Sequence, residues 1–364
     1  MRHIIRGAAR YLAAQNSATL ETVILSAQNN QISRLGSILQ LLEETTSLGV
    51  VTEFLKVKKL THSASSWDDM RNKRLLPAIA SHSVSEQELI ELLRSAEECG
   101  RQHVFLFHCS KDTAATLMER SRVTSALARQ NLQDLLTTPR VLDQPSEPTI
   151  ADVRWITAGI DTELIIKIIE TRVSQRFVEE TRFGNQISRN YEEIRERSVN
   201  VVRLHRNGLL EIRLGSHSNS TRYASDLVLM WRRIDFLLSE SHFTPISLLR
   251  AKNKLWTDRA TLSRIIRFSD HTLVNDNGNT IRAATGTENC DLLSDDGVVK
   301  SLEAFLDHDA YCDSSNIWFK NVIPGPSKEI HVLLSGELNE FAVPAHCSPA
   351  DYQYVLDQLR LLNT

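Results

Sequence analysis

The sequence predicts an α+β protein: a helical N-terminal domain followed by antiparallel sheet-plus-helix modules. Three observations carry that expectation. Apolar residues keep helical spacing through much of residues 1–138. From residue 150 onward, runs of Ile, Val and Leu alternate with polar residues in strand-like fashion. Residues 198–238 then change period, alternating on either side of Arg206-Asn207-Gly208 before adopting helical spacing, which reads as a hairpin followed by a covering helix.

The 364-residue length exceeds what one small core organises, and three domains are expected, at 1–138, 150–240 and 244–364. The start, through Leu20, reads as an amphipathic helix; an Arg-bearing presequence is the alternative. Ser17 to Glu21 resembles a capped helix start, and Leu35, Ile38, Leu39, Leu41 and Leu42 keep helical spacing before Gly49. The following Val-rich stretch, 50–57, reads as extended, so that helices plus an LGVV strand resemble the end of a winged helix-turn-helix. Ser85 and Glu88 form a capping-box pair, Leu89, Ile90, Leu92 and Leu93 mark the buried face, and Gly100 is the stop. His103 to Cys109 is an apolar run suited to a buried strand. Residues 137–149, with Pro139, Pro145 and Pro148, make the linker at which the first domain should end.

Strands are expected around Trp155, at 164–169 and 173–177, and in the hairpin, where Asn207-Gly208 suits a type I′ turn. The polar run from Asn185 to Glu196 should hold a second turn or a projecting ribbon. A helix from Tyr223 to Leu238 turns Leu227, Met230, Trp231, Ile234, Leu237 and Leu238 inward and Arg232-Arg233 toward solvent. Two short basic helices at 244–268 precede a hairpin turning at Asn275 to Gly278, an order that resembles a winged helix. Helix 295–307, strands at 317–323, 330–336 and 340–343, and helix 349–362, begun by Ser348-Pro349, complete a second sheet-plus-helix module.

Composition is that of an ordinary soluble globular chain, 41% hydrophobic and 24% charged, and no segment has the length of a bilayer span. Five scattered cysteines without CxxC spacing fit a reducing, cytoplasmic setting. Net charge is −3, but its distribution is uneven: 19 basic and 20 acidic side chains in residues 1–170, 18 and 10 in 171–269, and 5 and 15 in 270–364. Such a basic middle and acidic end either mate with each other or meet different partners.

No Walker A loop, GxGxxG or GxSxG is present, and no cofactor is expected. Leu210-Glu211-Ile212-Arg213 resembles the strand of a PD-(D/E)xK nuclease, but the preceding strand, 199–205, lacks the second carboxylate that metal-assisted hydrolysis needs. Paired Glu211 and Arg213 on a solvent face, meeting Arg203 or its neighbours across the hairpin, is the simpler reading. His308, Cys312, His331, His346 and Cys347 have irregular spacing for a zinc site. Gly215 to Arg222, between strand and helix, offers amides and hydroxyls for a phosphate or simply caps the helix.

Clustered cations suit phosphate-backbone contact. The candidate nucleic-acid surface comprises Arg195, Arg197, Arg203, Arg206, Arg213, Arg222, Arg232 and Arg233, with Arg250, Lys252, Lys254, Arg259, Arg264 and Arg267 following. The expected function is therefore a non-catalytic nucleic-acid-binding or assembly subunit of an intracellular multi-protein system. DNA backbone contacts, a protein partner and no membrane association are expected; bacterial DNA maintenance and phage defence are settings that fit by analogy. The alternatives are a protein–protein scaffold using the acidic C-terminal block, and a metal-dependent nuclease.

Overall fold

A computed structural model describes residues 32–158, 161–217, 223–287 and 289–364. The expected first helix and the Ser17 cap lie outside the described residues, as does Arg222. The fold is α+β, about 39% helix and 31% strand among the described residues. Among the described residues no helix is long and apolar enough to cross a membrane. The chain forms two compact units, 1–94 and 95–364.

The described part of the first unit is helical. Helix α1 covers residues 32–45 and buries Ile38, Leu39, Leu41 and Leu42. Leu48–Val57 is helix α2, not the expected strand, and the resemblance to a winged helix-turn-helix ends there. Its β-branched residues suggest extension, but Val51 and Leu55, four apart, are the buried pair, while Val50 and Val57 face out. Helices α3 (Trp67–Met70) and α4 (Leu76–Ala80) flank a π-turn at Arg71–Leu75. Pro77 cannot donate to the Lys73 carbonyl, and the Arg74 guanidinium does so at 3.1 Å. Helix α5 (Glu86–Glu97) opens on the expected capping box: Ser85 N–H donates to Glu88 Oε2 at 2.9 Å and Glu88 N–H to Ser85 Oγ at 3.3 Å.

The second unit is one antiparallel sheet with helices on both faces. Its strands are β1 (Gln102–His108), β2 (Thr149–Ala158), β3 (Asp161–Phe183), β4 (Gln186–His205), β5 (Leu209–Gly215), β6 (Thr244–Pro245), β7 (Ile266–Asn275), β8 (Thr280–Ala284), β9 (Ala310–Phe319), β10 (Ile330–Leu334) and β11 (Glu340–Val343). They lie in the order β2-β3-β4-β5-β1-β11-β10-β9-β7-β8, with β6 beside the end of β1. The apolar run 103–109 thus becomes the central strand, joining two halves of the sheet.

Strand alternation gives β1 two cores. Phe105 and Phe107 enter one, with Ile166, Ile168, Val202, Leu210 and Ile212, under helices α6 (Lys111–Leu117), α7 (Arg120–Arg129) and α8 (Ala224–Ile234). Val104 and Leu106 enter the other, with Phe268, Ile317 and Phe341, under α9 (Leu249–Thr257) and α12 (Pro349–Leu362). The short α10 (Arg259–Leu262) follows α9, and α11 (Asp296–Leu306) packs with Trp256, Leu273 and Cys312. The inward set expected of α8 is buried around Met230, Trp231 and Ile234, with Arg232 and Arg233 exposed. Ser348 caps α12 by accepting from Asp351 N–H at 3.1 Å.

Two turns refine the expectation. The β4–β5 loop has three residues, Arg206 to Gly208, and among them only Gly208 has positive φ, +95°. It is therefore the longer hairpin loop ending in a left-handed glycine, not the two-residue type I′ form. A Cβ on Gly208 would lie 2.1 Å from Cys109 O, so the close pass of the chain after β1 requires glycine. The β7–β8 hairpin exists, but β7 also pairs along its length with β9, making it the edge of the sheet and not a free wing.

Candidate functional site

The outer part of the β3–β4 hairpin, residues 171–183 and 186–197, is largely exposed. Beyond Ile169 strand β3 has lost β2, and β5 accompanies β4 only at Val201 to Leu204. Residues 171–183 and 186–197 therefore pair with each other alone among the described residues, leaving both edges open. At ~3.3 Å per residue this ribbon reaches roughly 40 Å. Its turn is Gly184-Asn185, and the φ of Gly184, +59°, suits the first position of a primed hairpin turn. The proline-rich segment braces the base: Thr171 Oγ1 donates to Pro145 O at 2.7 Å and Arg197 Nε to Leu142 O at 2.8 Å.

Register and alternation place Val173, Phe177, Tyr191 and Ile187 on one ribbon face. Each is more than half exposed, at 56%, 52%, 52% and 53%, and Phe177 meets Tyr191 edge-on at 5.9 Å. The charges on the ribbon's two faces are already matched: Arg176 with Glu192 at 2.6 Å, Arg182 and Arg189 with Glu180 at 2.9 Å, and Arg195 with Glu193 at 2.8 Å.

A second cluster lies under α12. Glu211 is fully buried, correcting the expectation of a solvent-face row, though its cross-strand partner is Arg203 as expected. Its Oε2 accepts from Arg213 Nε at 3.0 Å and Tyr352 Oη at 2.6 Å; its Oε1 meets His205 Nε2 at 2.5 Å. The Arg213 guanidinium also lies 3.9 Å from the Tyr352 ring centre. Arg203 grips Glu163 with two bonds of 2.6 and 2.7 Å, and His205 Nδ1 reaches Glu163 at 3.2 Å. Burial disfavours charge on His205, but the Glu163 and Glu211 carboxylates outweigh it and raise its pKa. A carboxylate beside each ring nitrogen favours the doubly protonated form, in which both nitrogens donate. Burial likewise opposes the Glu211 charge, yet Arg213, His205 and Arg203 hold its carboxyl well below the usual range. Glu163 is the second carboxylate absent from strand 199–205, but these cations fill the space between it and Glu211.

The same sheet face continues into Glu97 and Glu98. Lys167 and Arg197 pair with Glu97, the latter at 2.6 Å, while Arg154 joins Glu98 at 2.5 Å and Asp152 at 2.6 Å. Sequence reasoning passed over Glu97, Glu163 and Tyr352. One signal was available: acids in the last turn of α5 oppose the helix dipole and so need cations from elsewhere.

The structure divides the candidate cations. Arg197, Arg203 and Arg213 are spent in these buried pairs, and Arg195 in a surface pair. Lys252 is buried and donates to Asp313 O at 2.8 Å. Arg259 pairs with Glu303, and Arg267 with Glu329 at 2.8 Å. Arg206, Arg232, Arg233, Arg250, Lys254 and Arg264 make no ion pair among the described residues. They do not form one field, because α8 and α9 cover opposite faces of the sheet. Arg232 and Arg233 line a cavity of about 730 Å³ together with Glu147, Glu170, Asp226 and Asp235. Arg250 and Lys254 line a groove of about 580 Å³.

Of the late His and Cys residues, Cys312 is buried with His271 Nδ1 at 3.8 Å, and His331 stacks on Trp318. Among the described residues no three His, Cys, Asp or Glu side chains gather as metal ligands. Compared with known proteins, the chain matches no family model and no curated protein.

Proposed function

We propose that the protein is a non-catalytic assembly subunit that engages a protein partner through its projecting β-ribbon. The observation that carries this reading is a hairpin with two open edges and an exposed row of Val173, Phe177, Tyr191 and Ile187. Open edges offer main-chain pairing, and half-exposed aromatic residues offer the anchors that association favours. The internally matched charges support a protein partner over a polyanion, since few ribbon cations remain free. The free cysteines support a reducing, cytoplasmic setting.

The nucleic-acid part of the reading rests on the six cations without carboxylate partners. The test of the ribbon is site-specific photo-crosslinking in the native cell, with a benzophenone amino acid at Phe177 and, as control, at exposed Leu361. A discrete adduct at Phe177 that disappears with Tyr191→Asp supports the reading. No adduct, or the same adduct from both positions, refutes it.

A further inference from the structure

We infer that the groove between α9 and the end of α12 is a phosphate-binding site. This deepens the nucleic-acid reading by naming the cations that meet phosphate. Arg250, Asn253, Lys254 and Thr257 follow one helical stripe of α9, and Ser247 and Asn363 close the groove. No acidic side chain lines it, in contrast to the cavity at Arg232 and Arg233.

The polar groups point to an anion. Asn253 Oδ1 is engaged by Cys312 N–H at 3.0 Å, leaving Nδ2 as the end free to donate. Ser247 Oγ accepts from Leu249 N–H at 3.3 Å, which leaves its O–H to donate. Asn363 is used at both ends, accepting from Ala251 N–H at 3.2 Å and donating to Ser247 O at 2.9 Å, so it fixes the wall. Two cationic donors remain, Arg250 in the first turn of α9 and Lys254 in its last, while Thr257 Oγ1 is spent on Lys254 O and Asp258 Oδ1 at 3.5 and 3.3 Å. Arg250 and Lys254 sit ~6 Å apart along the helix axis, close enough to clamp one phosphate or track successive ones. The phosphate can belong to a nucleic-acid backbone or to a small phosphate ester, and the two are separable.

The experiment uses the full chain, the double variant Arg250→Glu/Lys254→Glu, and Arg264→Glu as a control on an exposed cation outside the groove. Labelled single- and double-stranded DNA are titrated by anisotropy across a salt series, and ATP and inorganic phosphate by calorimetry. DNA binding that weakens about tenfold or more in the double variant, with a salt slope reduced by about 2, supports the site with the backbone as source. Binding of ATP or phosphate alone, lost in the double variant, supports the site with a small ester as source and refutes the nucleic-acid reading. The site is overturned if neither class binds, or if binding survives the double variant. It is overturned equally if Arg264→Glu weakens binding as much, which would mean a diffuse field. Both groove cations reach solvent, and matching melting temperatures will certify the variants as folded.

Discussion

Glu211→Gln tests the buried cluster most directly. The side chain keeps its size, but one accepting oxygen becomes a donating NH2, so a donor now faces a donor from among Arg213, Tyr352 and His205. The Arg213 guanidinium, 3% exposed, loses its countercharge at 2.8 Å. At an effective dielectric near 20, one such contact amounts to about 6 kcal/mol before desolvation, and breaking a buried pair from one side typically costs ~3–5 kcal/mol. Glu192→Gln, which breaks an exposed pair with Arg176, should cost at most ~1 kcal/mol. The assay is urea unfolding followed by tryptophan fluorescence, where buried Trp231 and Trp256 report on the second unit. Melting should fall by on the order of 10 °C for Glu211→Gln. Adding Arg213→Met should recover part of the loss, because an apolar replacement no longer leaves a buried charge unmatched. If Glu211→Gln costs no more than Glu192→Gln, or if the two cluster substitutions simply add, the cluster is not energetically coupled and the reasoning fails.

Other consequences are checked the same way. The raised pKa of His205 makes its stabilising contribution complete below its ordinary value of 6.5 and lost as pH rises through the folded value; His205→Gln should flatten that alkaline limb of the stability–pH profile. Gly208→Ala combines left-handed backbone with a 2.1 Å approach to Cys109 O and should cost clearly more than Gly184→Ala, whose Cβ meets nothing within 4 Å, as equilibrium unfolding will measure. Replacing residues 172–196 by a tight turn should leave the melting temperature within ~2 °C while removing the Phe177 crosslink site, since the excised part contributes no buried core. In the native protein a disulfide-exchange reagent should label Cys290 first, because burial shields Cys99, Cys109, Cys312 and Cys347 and pushes Cys312 and Cys347 up to about 12.

Period and capping chemistry are local, and where they decided the structure the sequence was readable. The capping box at Ser85, the buried strand at 103–109, the helix begun at Ser348 and the inward face of α8 all follow from neighbours a few residues apart. The Val50 to Val57 stretch was misread because its β-branched composition argued against the i, i+4 burial of Val51 and Leu55, and burial prevailed. Ribbon length was hidden for a different reason. Arg176 finds Glu192, and Phe177 finds Tyr191, only once the register is known. From sequence alone the same residues read as a loose charged run. Glu211 shows the same limit: its local neighbour Arg213 was visible, but Tyr352 and Glu163, which seal it, arrive from distant strands and helices.

Register also resolves the uneven charge. The basic middle block, read as a continuous cationic field, is discharged largely within the chain. Glu97 takes Arg197, Glu303 takes Arg259, and Glu329 takes Arg267, the last two drawn from the acidic end. The opposed blocks sum to a net charge of −3 whatever the pairing, and register shows where their opposite charges meet. It also turns the remaining free cations into the informative ones. A guanidinium held by a carboxylate must surrender that partner before it can meet phosphate, and a buried one must be uncovered as well. Arg250 and Lys254 face neither cost, and the groove they line contains no carboxylate to compete for them. Adding an acid there, by Asn253→Asp, should therefore weaken phosphate binding while Asp313→Asn, beside the buried Lys252, leaves it unchanged. Comparable effects of opposite sign, Asp313→Asn tightening binding as much as Asn253→Asp weakens it, would show that long-range field, and not the local donor set, governs binding.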